Sequence, residues 1–487
     1  MSTTLEAATS ISPGAAVGAG VGALAVIAVL VVLMRRRADA FPLLAILALP
    51  FRLPISADGR TVNLLIPLYL VVAAGVLAHL VPRLLAREER GLGTLEWLLL
   101  ASIALYAAQA LYSADKAKAG ENLAFFYVPF ALLFVLLRDV RWTPQLLLRC
   151  LGIAVALAVV FAGIGFVEYA RKELFLNPKV VAANQYDNYF RVNSLFFDPN
   201  IYGRFLAIVM IALSAVVLWS RRERDVLLAG ALLLWLLAGL VTSFSQSSIA
   251  ALLLGLAVLA AYRWDVRATL LAAGALVVAG LLVVALAPAS LHFGLKGNGG
   301  SASNATSGRT KLIEGGLELF AERPLQGYGS GSFQTEYERH SATGAQNATS
   351  ASHTIPVTVA SEQGIVGLAL YVALLIVAFV TLLRGAGRPP PAAGATDAAN
   401  FAGGGDAPTL AIGGGAATLA VARVVIAACF AALVLHTFAY ADFLEDPMTW
   451  TLLGVGVALA RMSPAAEPSE QRRMAADGGA VAALAPE

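Results

Sequence analysis

The sequence predicts an all-α polytopic membrane protein with 12–13 transmembrane helices and a large outer-face loop that contains amphipathic helices. Three properties of the 487-residue chain support this fold class: 59% of its residues are hydrophobic, only 13% are charged, and its mean hydropathy is +0.75. Soluble domains average about 45–50% apolar and about 25% charged residues. The chain therefore lacks the polar surface that a water-soluble globule needs, which excludes a soluble enzyme and a disordered chain.

The charge balance and the cysteine content exclude further classes. With 34 Lys and Arg against 31 Asp and Glu, the net charge is only +3, which is too small to indicate binding of a nucleic acid. The two cysteines, Cys150 and Cys429, both lie in apolar stretches, so no disulfide or metal framework is predicted. We expect no cofactor and no nucleic-acid partner, and we expect a lipid bilayer around the chain.

Apolar segments near the length of a transmembrane helix, about 20 residues, recur along the chain. Twelve segments fit this description, and a thirteenth, 39–51, is short and contains two prolines. The first segment is followed rather than preceded by basic residues, so it is predicted to be a retained anchor and not a signal peptide. The predicted spans are 15–34, 39–51, 62–81, 94–113, 122–137, 145–168, 201–219, 226–242, 246–262, 268–288, 356–383, 417–440 and 448–462.

The distribution of arginine predicts the orientation, because short cytoplasmic loops retain Lys and Arg. Thirteen spans place Arg35–Arg37 and most arginines of the short loops on the cytoplasmic side, with the N-terminus outside and the C-terminus inside. Pro- and Gly-rich sequence in 384–416 is typical of a flexible linker. The predicted organisation is an extra N-terminal span in 1–38, a transmembrane core in 39–383 with outer loops 169–200 and 289–355, a cytoplasmic linker in 384–416, C-terminal spans in 417–462 and a disordered tail in 463–487.

The first polar cluster of the outer face runs from Tyr189 to Arg204. Its Asp198-Pro199-Asn200 sequence predicts the start of a helix, with a capping acid followed by proline in the first turn. Arg191 and Arg204 flank this start. They either bind the phosphates of a lipid-linked substrate, as the planar guanidinium does well, or extend towards lipid head groups.

The second cluster, 307–324, predicts an amphipathic helix on the membrane surface that Pro324 ends. Arg309 and Lys311 come near its predicted N-terminus, where the helix dipole favours an anion, and this placement indicates a functional role. The glycines that follow, in 327–331, predict a tight turn rather than a phosphate cradle, because no Lys-Ser/Thr pair follows them. The predicted apolar face comprises Leu312, Ile313, Gly316, Leu317 and Phe320, and the acidic side comprises Glu314, Glu318 and Glu322.

The third cluster contains His353 and Glu362, at the start of a long apolar segment. A histidine is the natural general base near neutral pH, although a loop histidine is more often inert. A carboxylate close to the apolar zone normally has a partner or a function, so Glu362 is a stronger candidate on position alone. Few ionisable residues lie at the centres of the spans, which argues against an ion-coupled carrier.

In this order, the motifs resemble those of the O-antigen ligase/polymerase family, which are GT-C-type membrane glycosyltransferases of the bacterial envelope. The chain departs from the family in having Ser245-Gln246 where the family often has Ser-Arg, and His353-Thr354 where it often has His-Asn. The matching motifs are Arg191 with Asp198-Pro199-Asn200-x-x-Gly203, Thr242-x-x-Ser245, Ser307-Gly308-Arg309, Pro324-x-x-Gly327-x-Gly329-x-Gly331-x-Phe333, His353, and Glu362-x-Gly364-x-x-Gly367.

The resemblance implies a metal-independent, inverting transfer of a glycan from an undecaprenyl-diphosphate-linked donor to a glycan or lipid acceptor. The reaction would take place at the outer face of the cytoplasmic (inner) membrane. His353 would be the catalytic base, and Arg191 and Arg309 would stabilise the diphosphate. Ligase and polymerase are not separable at this level, and a carrier or flippase for a lipid-linked sugar and a non-catalytic scaffold are the alternatives. The expected substrate-binding residues are Arg204, Lys311, Asp198, Asn200, Glu362 and Tyr328.

Overall fold

The computed structural model describes residues 13–57, 60–88, 91–175, 190–264, 267, 269, 303–340, 352, 354–384 and 415–462. Helices dominate these residues, and a β-hairpin of two short strands accompanies them. Among the described residues, eight helices are long and apolar enough to cross a membrane. The predicted all-α polytopic membrane fold is therefore confirmed.

The elements are numbered here in chain order. They are α1 (Pro13–Arg36), α2 (Ala40–Ala48), β1 (Leu53–Ala57), β2 (Arg60–Leu64), α3 (Ile66–Leu85), α4 (Thr94–Ala110), α5 (Lys116–Arg138), α6 (Pro144–Arg171), α7 (Pro199–Trp219), α8 (Glu223–Thr242), α9 (Gln246–Arg263), α10 (Ser303–Glu322), α11 (Phe333–His340), α12 (Ile355–Leu383), α13 (Gly415–Thr437) and α14 (Pro447–Met462).

Eleven of the predicted spans coincide with helices of this list, within a few residues at each end. Two of these helices, α4 and α14, are shorter than a typical span, at 17 and 16 residues. The predicted span 268–288 lies outside the described residues. Short π-helical turns interrupt α3 and α5 without ending them.

The predicted span 39–51 takes a different form from the others. Its helix, α2, has nine residues and is about 14 Å long, less than half of the roughly 30 Å hydrocarbon core. Asp39 pairs with Arg149 at 2.9 Å, and the Phe51 ring lies 5.9 Å from that of Phe161, twelve residues further along α6. This segment therefore runs alongside α6 in the same direction.

Arginines that the sequence assigns to one face do lie at one end of the bundle. Arg83 pairs with Asp139 at 2.8 Å, and Arg461 pairs with Glu96 at 2.5 Å, joining the ends of α3, α5 and α14 to the start of α4. Arg138 approaches the same Glu96 at 3.6 Å. These ion pairs show which helix ends lie at the same end of the bundle. The assignment of that end to the cytoplasmic side stays a prediction.

Helix α7 is the centre of the bundle. In its apolar window 78% of the residues are buried, against 22–28% in α6, α8 and α9, which pack around it together with α13. Its N-terminus is the predicted one, since Pro199 is the first helical residue and the Asp198 carboxylate accepts the Asn200 N–H at 2.6 Å. The cap thereby fixes where the first polar residues of α7 lie.

The amphipathic helix of the second cluster is present, with two corrections. It begins at Ser303, so Arg309 and Lys311 lie in its middle and the argument from an N-terminal dipole does not apply to them. Its buried positions are Leu312, Gly316 and Leu319, whereas Leu317 is 49% exposed. The buried face of α10 packs in a small apolar cluster with α11 and the loop between the two helices. This cluster comprises Leu312, Leu319, Tyr328 and Phe333.

Candidate functional site

Arg191 is fixed by two hydrogen bonds at the end of the bundle opposite the Arg83–Asp139 and Arg461–Glu96 ion pairs. Its Nε donates to the Ser243 carbonyl oxygen at 3.1 Å, and its Nη2 donates to the Asn200 side-chain oxygen at 3.2 Å. The planar guanidinium is thus held between the end of α8 and the start of α7, and it is half-buried. Such a fixed cation suits the binding of an anion, because little reorganisation is needed when charge arrives.

Behind Asn200, buried hydroxyl groups continue the hydrogen-bond network. Ser245 caps α9, and its Oγ donates to the Asn200 side-chain oxygen at 2.9 Å and lies 2.7 Å from Ser248 Oγ. His436, at the end of α13, places Nε2 at 3.2 Å from the Oγ atoms of both Ser247 and Ser248. The network thus joins α7, α9 and α13 behind the Arg191 guanidinium.

Sequence reasoning did not identify His436 as part of this network. The residue is fully buried at the end of an apolar helix, and nothing in its neighbours indicates a partner almost 190 residues earlier. The available signal was the run of serines at 243–248 at the start of a span, since several hydroxyls that enter a bilayer together need partners.

Arg204 is buried and not presented to solvent. It is 1% exposed, its Nη2 lies 2.5 Å from the Asp446 carboxylate, and its Nη1 donates to the Asp442 carbonyl oxygen at 3.4 Å. Its guanidinium also lies 6.0 Å from the centre of the Tyr440 ring. Arg204 therefore ties α7 to the segment 438–446, which connects α13 to α14.

The segment 438–446 carries three carboxylates that the sequence analysis did not single out. Burial raises the pKa of the Asp442 carboxyl, and the Arg204 guanidinium opposes this shift. Burial also raises the pKa of Glu445, with a further rise from Asp442. The pKa of the Tyr440 hydroxyl lies well above its usual value, first because of burial and then because Asp198 and Asp442 are near. The signal for these residues was three acids in a short gap between two spans.

Glu362 binds the glycine-rich loop through main-chain contacts. Its two carboxylate oxygens accept the N–H groups of Gly331, at 2.9 Å, and Phe333, at 3.0 Å, and its own carbonyl oxygen accepts the Gly329 N–H at 2.8 Å. The residue is 6% exposed. Its carboxylate is thereby engaged in holding the loop against α12.

A kink in α12 makes room for this loop. Gly364 has a φ of 65°, which breaks the helix locally, and a Cβ there would clash with the Leu325 carbonyl. Gly327, with a φ of 66°, approaches the Glu362 main chain equally closely. The predicted tight turn is thus confirmed, and it packs against α12 at Glu362 and Gly364.

Tyr328 belongs to the small apolar cluster that it forms with Leu312, Leu319 and Phe333. Its hydroxyl donates a short hydrogen bond to Glu322, and the Arg323 guanidinium lies 4.3 Å from the centre of its ring. Burial, together with this bond to Glu322, raises the pKa of Tyr328 to about 12. The residue is 6% exposed and so stabilises the packing of the loop on α10.

The structure does not describe the side chains of two predicted catalytic residues, His353 and Arg309. His353 lies outside the described residues, although Ser352 and Thr354 on either side of it are described. Arg309 lies on α10, and the backbone alone is described there. Lys311, two residues later, is exposed. Their roles stay predictions.

No group of three His, Cys, Asp or Glu side chains that could hold a metal ion occurs in the part of the chain that the structure describes. The polar groups that do meet at this end of the bundle are guanidinium, amide, hydroxyl and carboxylate. Metal independence of the chemistry stays a prediction.

These features define a multi-pass membrane protein with a half-buried arginine and a hydrogen-bonded polar network at one end of its bundle. Residues 231–372 match the model of a protein family described as O-antigen ligase. The resemblance to the O-antigen ligase/polymerase family is thereby confirmed, and it supports a membrane glycan ligase or polymerase. The match covers Arg309, the glycine-rich loop and Glu362, whereas Arg191 precedes it. No curated protein matches the chain.

Proposed function

We propose that this protein is a glycosyltransferase that transfers a glycan from an undecaprenyl-diphosphate-linked donor to an acceptor hydroxyl. The reaction takes place at the outer face of the cytoplasmic membrane. The observation that carries the proposal is the placement of Arg191, a half-buried guanidinium held by the Ser243 carbonyl and by Asn200. Ser243 belongs to the segment that matches the family, so this cation lies beside that segment.

In the proposed reaction, the acceptor oxygen forms a bond to the anomeric carbon of the donor sugar. The bond from that carbon to the diphosphate oxygen breaks, and its electron pair leaves with undecaprenyl diphosphate. Arg191 and Arg309 stabilise this developing charge, and His353 takes the proton of the acceptor hydroxyl. A single displacement of this kind inverts the anomeric configuration, and the arginines carry the charge without a metal ion.

The test is a single-turnover assay of the full chain in nanodiscs with labelled undecaprenyl-diphosphate glycan and EDTA. The acceptor source is a total glycolipid extract from cells that lack the protein. We expect the wild type to release undecaprenyl diphosphate and the variants His353→Ala and Arg309→Ala to lose most of this release. The control is His79→Ala, because His79 lies on α3 and packs against Phe41, away from the outer end.

The main alternative is a carrier or flippase, which needs the phosphate-binding cations but no base. A carrier would bind the donor without releasing undecaprenyl diphosphate, and His353→Ala would leave its activity unchanged. Release that stops in EDTA would contradict metal independence alone. The size of the product distinguishes a polymerase, which extends a lipid-linked chain, from a ligase, which transfers a finished one.

A further inference from the structure

A cavity that the segment 438–446 helps to line differs chemically from the site around Arg191. It has a volume of about 60 Å³ and lies among α4, α5, α12 and the residues that precede α14. A water-sized group needs roughly 10–15 Å³ of such space, so the cavity accommodates a few hydroxyl groups. Its polar lining comprises Ser102, Tyr106, Tyr127, Thr358, Glu362, Gln363, Tyr371 and Glu445.

The charge of this lining selects against an anion. Two of the described residues that line the cavity are glutamates, and none of them is a lysine or an arginine. Glu362 uses both carboxylate oxygens on the N–H groups of Gly331 and Phe333, so Glu445 is the carboxylate that faces a ligand. A phosphate would be repelled here, whereas a neutral group that donates O–H bonds would be attracted.

Glu445 is itself held in place. Its Oε1 accepts the Tyr127 hydroxyl at 2.8 Å, and the Tyr127 ring lies 4.4 Å from that of Tyr106. The Tyr106 hydroxyl accepts an N–H from Asn122 at 2.8 Å. Glu445 is half-buried and both tyrosines are buried, so the carboxylate is the most accessible of these three side chains.

The cavity is also lined by residues that follow the predicted base, His353, closely in the sequence. Ile355 and Thr358, two and five residues after His353, line it, and Thr354 donates its hydroxyl to the Phe438 carbonyl at 3.1 Å. The segment 438–446 therefore binds Arg204 on one side and lines this acidic cavity on the other, and Thr354 is in contact with it.

We infer that this cavity is the binding site for the sugar hydroxyls of the acceptor, with Glu445 as the carboxylate that binds them. The inference rests on the proposed function, since it assigns the second substrate of that reaction. The anionic donor binds at the arginines, and the neutral acceptor binds at Glu445. A carboxylate accepts two hydroxyl hydrogen bonds at once, and the tyrosine hydroxyls add directional partners. Glu445 orients the acceptor, while His353 removes the proton.

The test compares Glu445→Gln with the wild type in nanodiscs, at saturating donor and with increasing amounts of the glycolipid extract. Because the amide loses the negative charge and one acceptor oxygen, we expect the KM for the acceptor to rise about 10-fold or more, as for the loss of a charged hydrogen bond. Binding of undecaprenyl diphosphate alone, measured by thermal shift, stays at the wild-type level. The control is Glu121→Gln, because Glu121 pairs with Lys118 on α5 and does not line the cavity.

Each other outcome has a definite meaning. An unchanged acceptor KM in Glu445→Gln, or an equal loss of donor and acceptor binding, overturns the inference. If Glu445→Gln does not fold, Tyr127→Phe tests the same point, because it removes only the hydroxyl that orients Glu445. Failure of the wild type to transfer any glycan contradicts the proposed function instead, so the two failures are distinguishable.

Discussion

The side-chain oxygen of Asn200 accepts a hydrogen bond from the guanidinium of Arg191 across 3.2 Å. The same oxygen accepts the Ser245 hydroxyl at 2.9 Å. One amide therefore connects the half-buried cation to the buried network of α9 and α13. Because Asn200 comes directly after the Pro199 start of α7, the helix cap determines where Arg191 is held.

Arg191→Lys tests the geometry of this cation with its charge retained. Lysine has no planar fork and cannot bond the Ser243 carbonyl and Asn200 as the guanidinium does. The loss of one charged hydrogen bond, about 1.5–3 kcal/mol, predicts a rate of glycan transfer about 10- to 100-fold lower. The control is Arg149→Lys at the opposite end of the bundle, where the ion pair with Asp39 is largely exposed. Equal rates of glycan transfer for the two variants would contradict the requirement for the planar guanidinium at position 191.

Ser245→Ala removes the hydroxyl that joins Asn200 to Ser248. We expect the free energy of unfolding to fall by about 1–3 kcal/mol, because the Asn200 oxygen and the N-terminus of α9 lose a buried partner. Ser214→Ala is the matched control, since its hydroxyl is also buried but bonds only the Met210 carbonyl of its own helix. Thermal unfolding in detergent measures both, and a larger effect in the control would be against the prediction.

Arg204 and Asp446 form a buried ion pair, so each single substitution leaves an uncompensated charge. Arg204→Met and Asp446→Leu should each destabilise the protein by about 3–5 kcal/mol, whereas the double variant should lose less than either. A thermal-unfolding double-mutant cycle measures this coupling. Additive losses in the double variant would mean that the 2.5 Å contact contributes no coupling.

Gly364→Ala should disrupt the contact between α12 and the glycine-rich loop. The residue has a φ of 65°, and a Cβ would clash with the Leu325 carbonyl, which is backbone and cannot move aside cheaply. We expect faster proteolysis of residues 324–340 in the variant. Gly152→Ala is the control because a Cβ there meets open space. Unchanged proteolysis would show that the loop does not depend on the kink.

The pH dependence of the protein's stability should reveal the ionisation of the Asp442 carboxyl. Because burial raises the pKa of this carboxyl, the folded state holds its proton more tightly than the unfolded state. Stability is therefore lost as pH rises from the unfolded pKa, about 3.9, through the raised folded pKa. Asp442→Asn lacks this loss, so it should melt higher than the wild type at pH 7 and equally at pH 4. A difference that grows as pH falls would contradict the raised pKa.

Much of the architecture follows from local sequence alone. Apolar segments near 20 residues long determined where most helices lie, because a bilayer requires every backbone polar group to be satisfied within the segment. The cap at Asp198 and the turn at Gly327 were equally local, since each depends on the conformational preference of a few neighbouring residues. The start of α10 was misjudged, because polar residues from Ser303 give no hydrophobic period.

The partners of the polar residues were decided only by the tertiary structure. Arg204 was expected at the substrate or the head groups, and it pairs with Asp446, 242 residues later in the chain. His436 and Glu445 gave no motif, and each acquires its role from hydroxyl groups on distant helices. Local sequence determines where a helix begins and which residues it carries. Which side chains face each other depends on how the helices pack, because buried charges and hydroxyls must find partners wherever the bundle brings them.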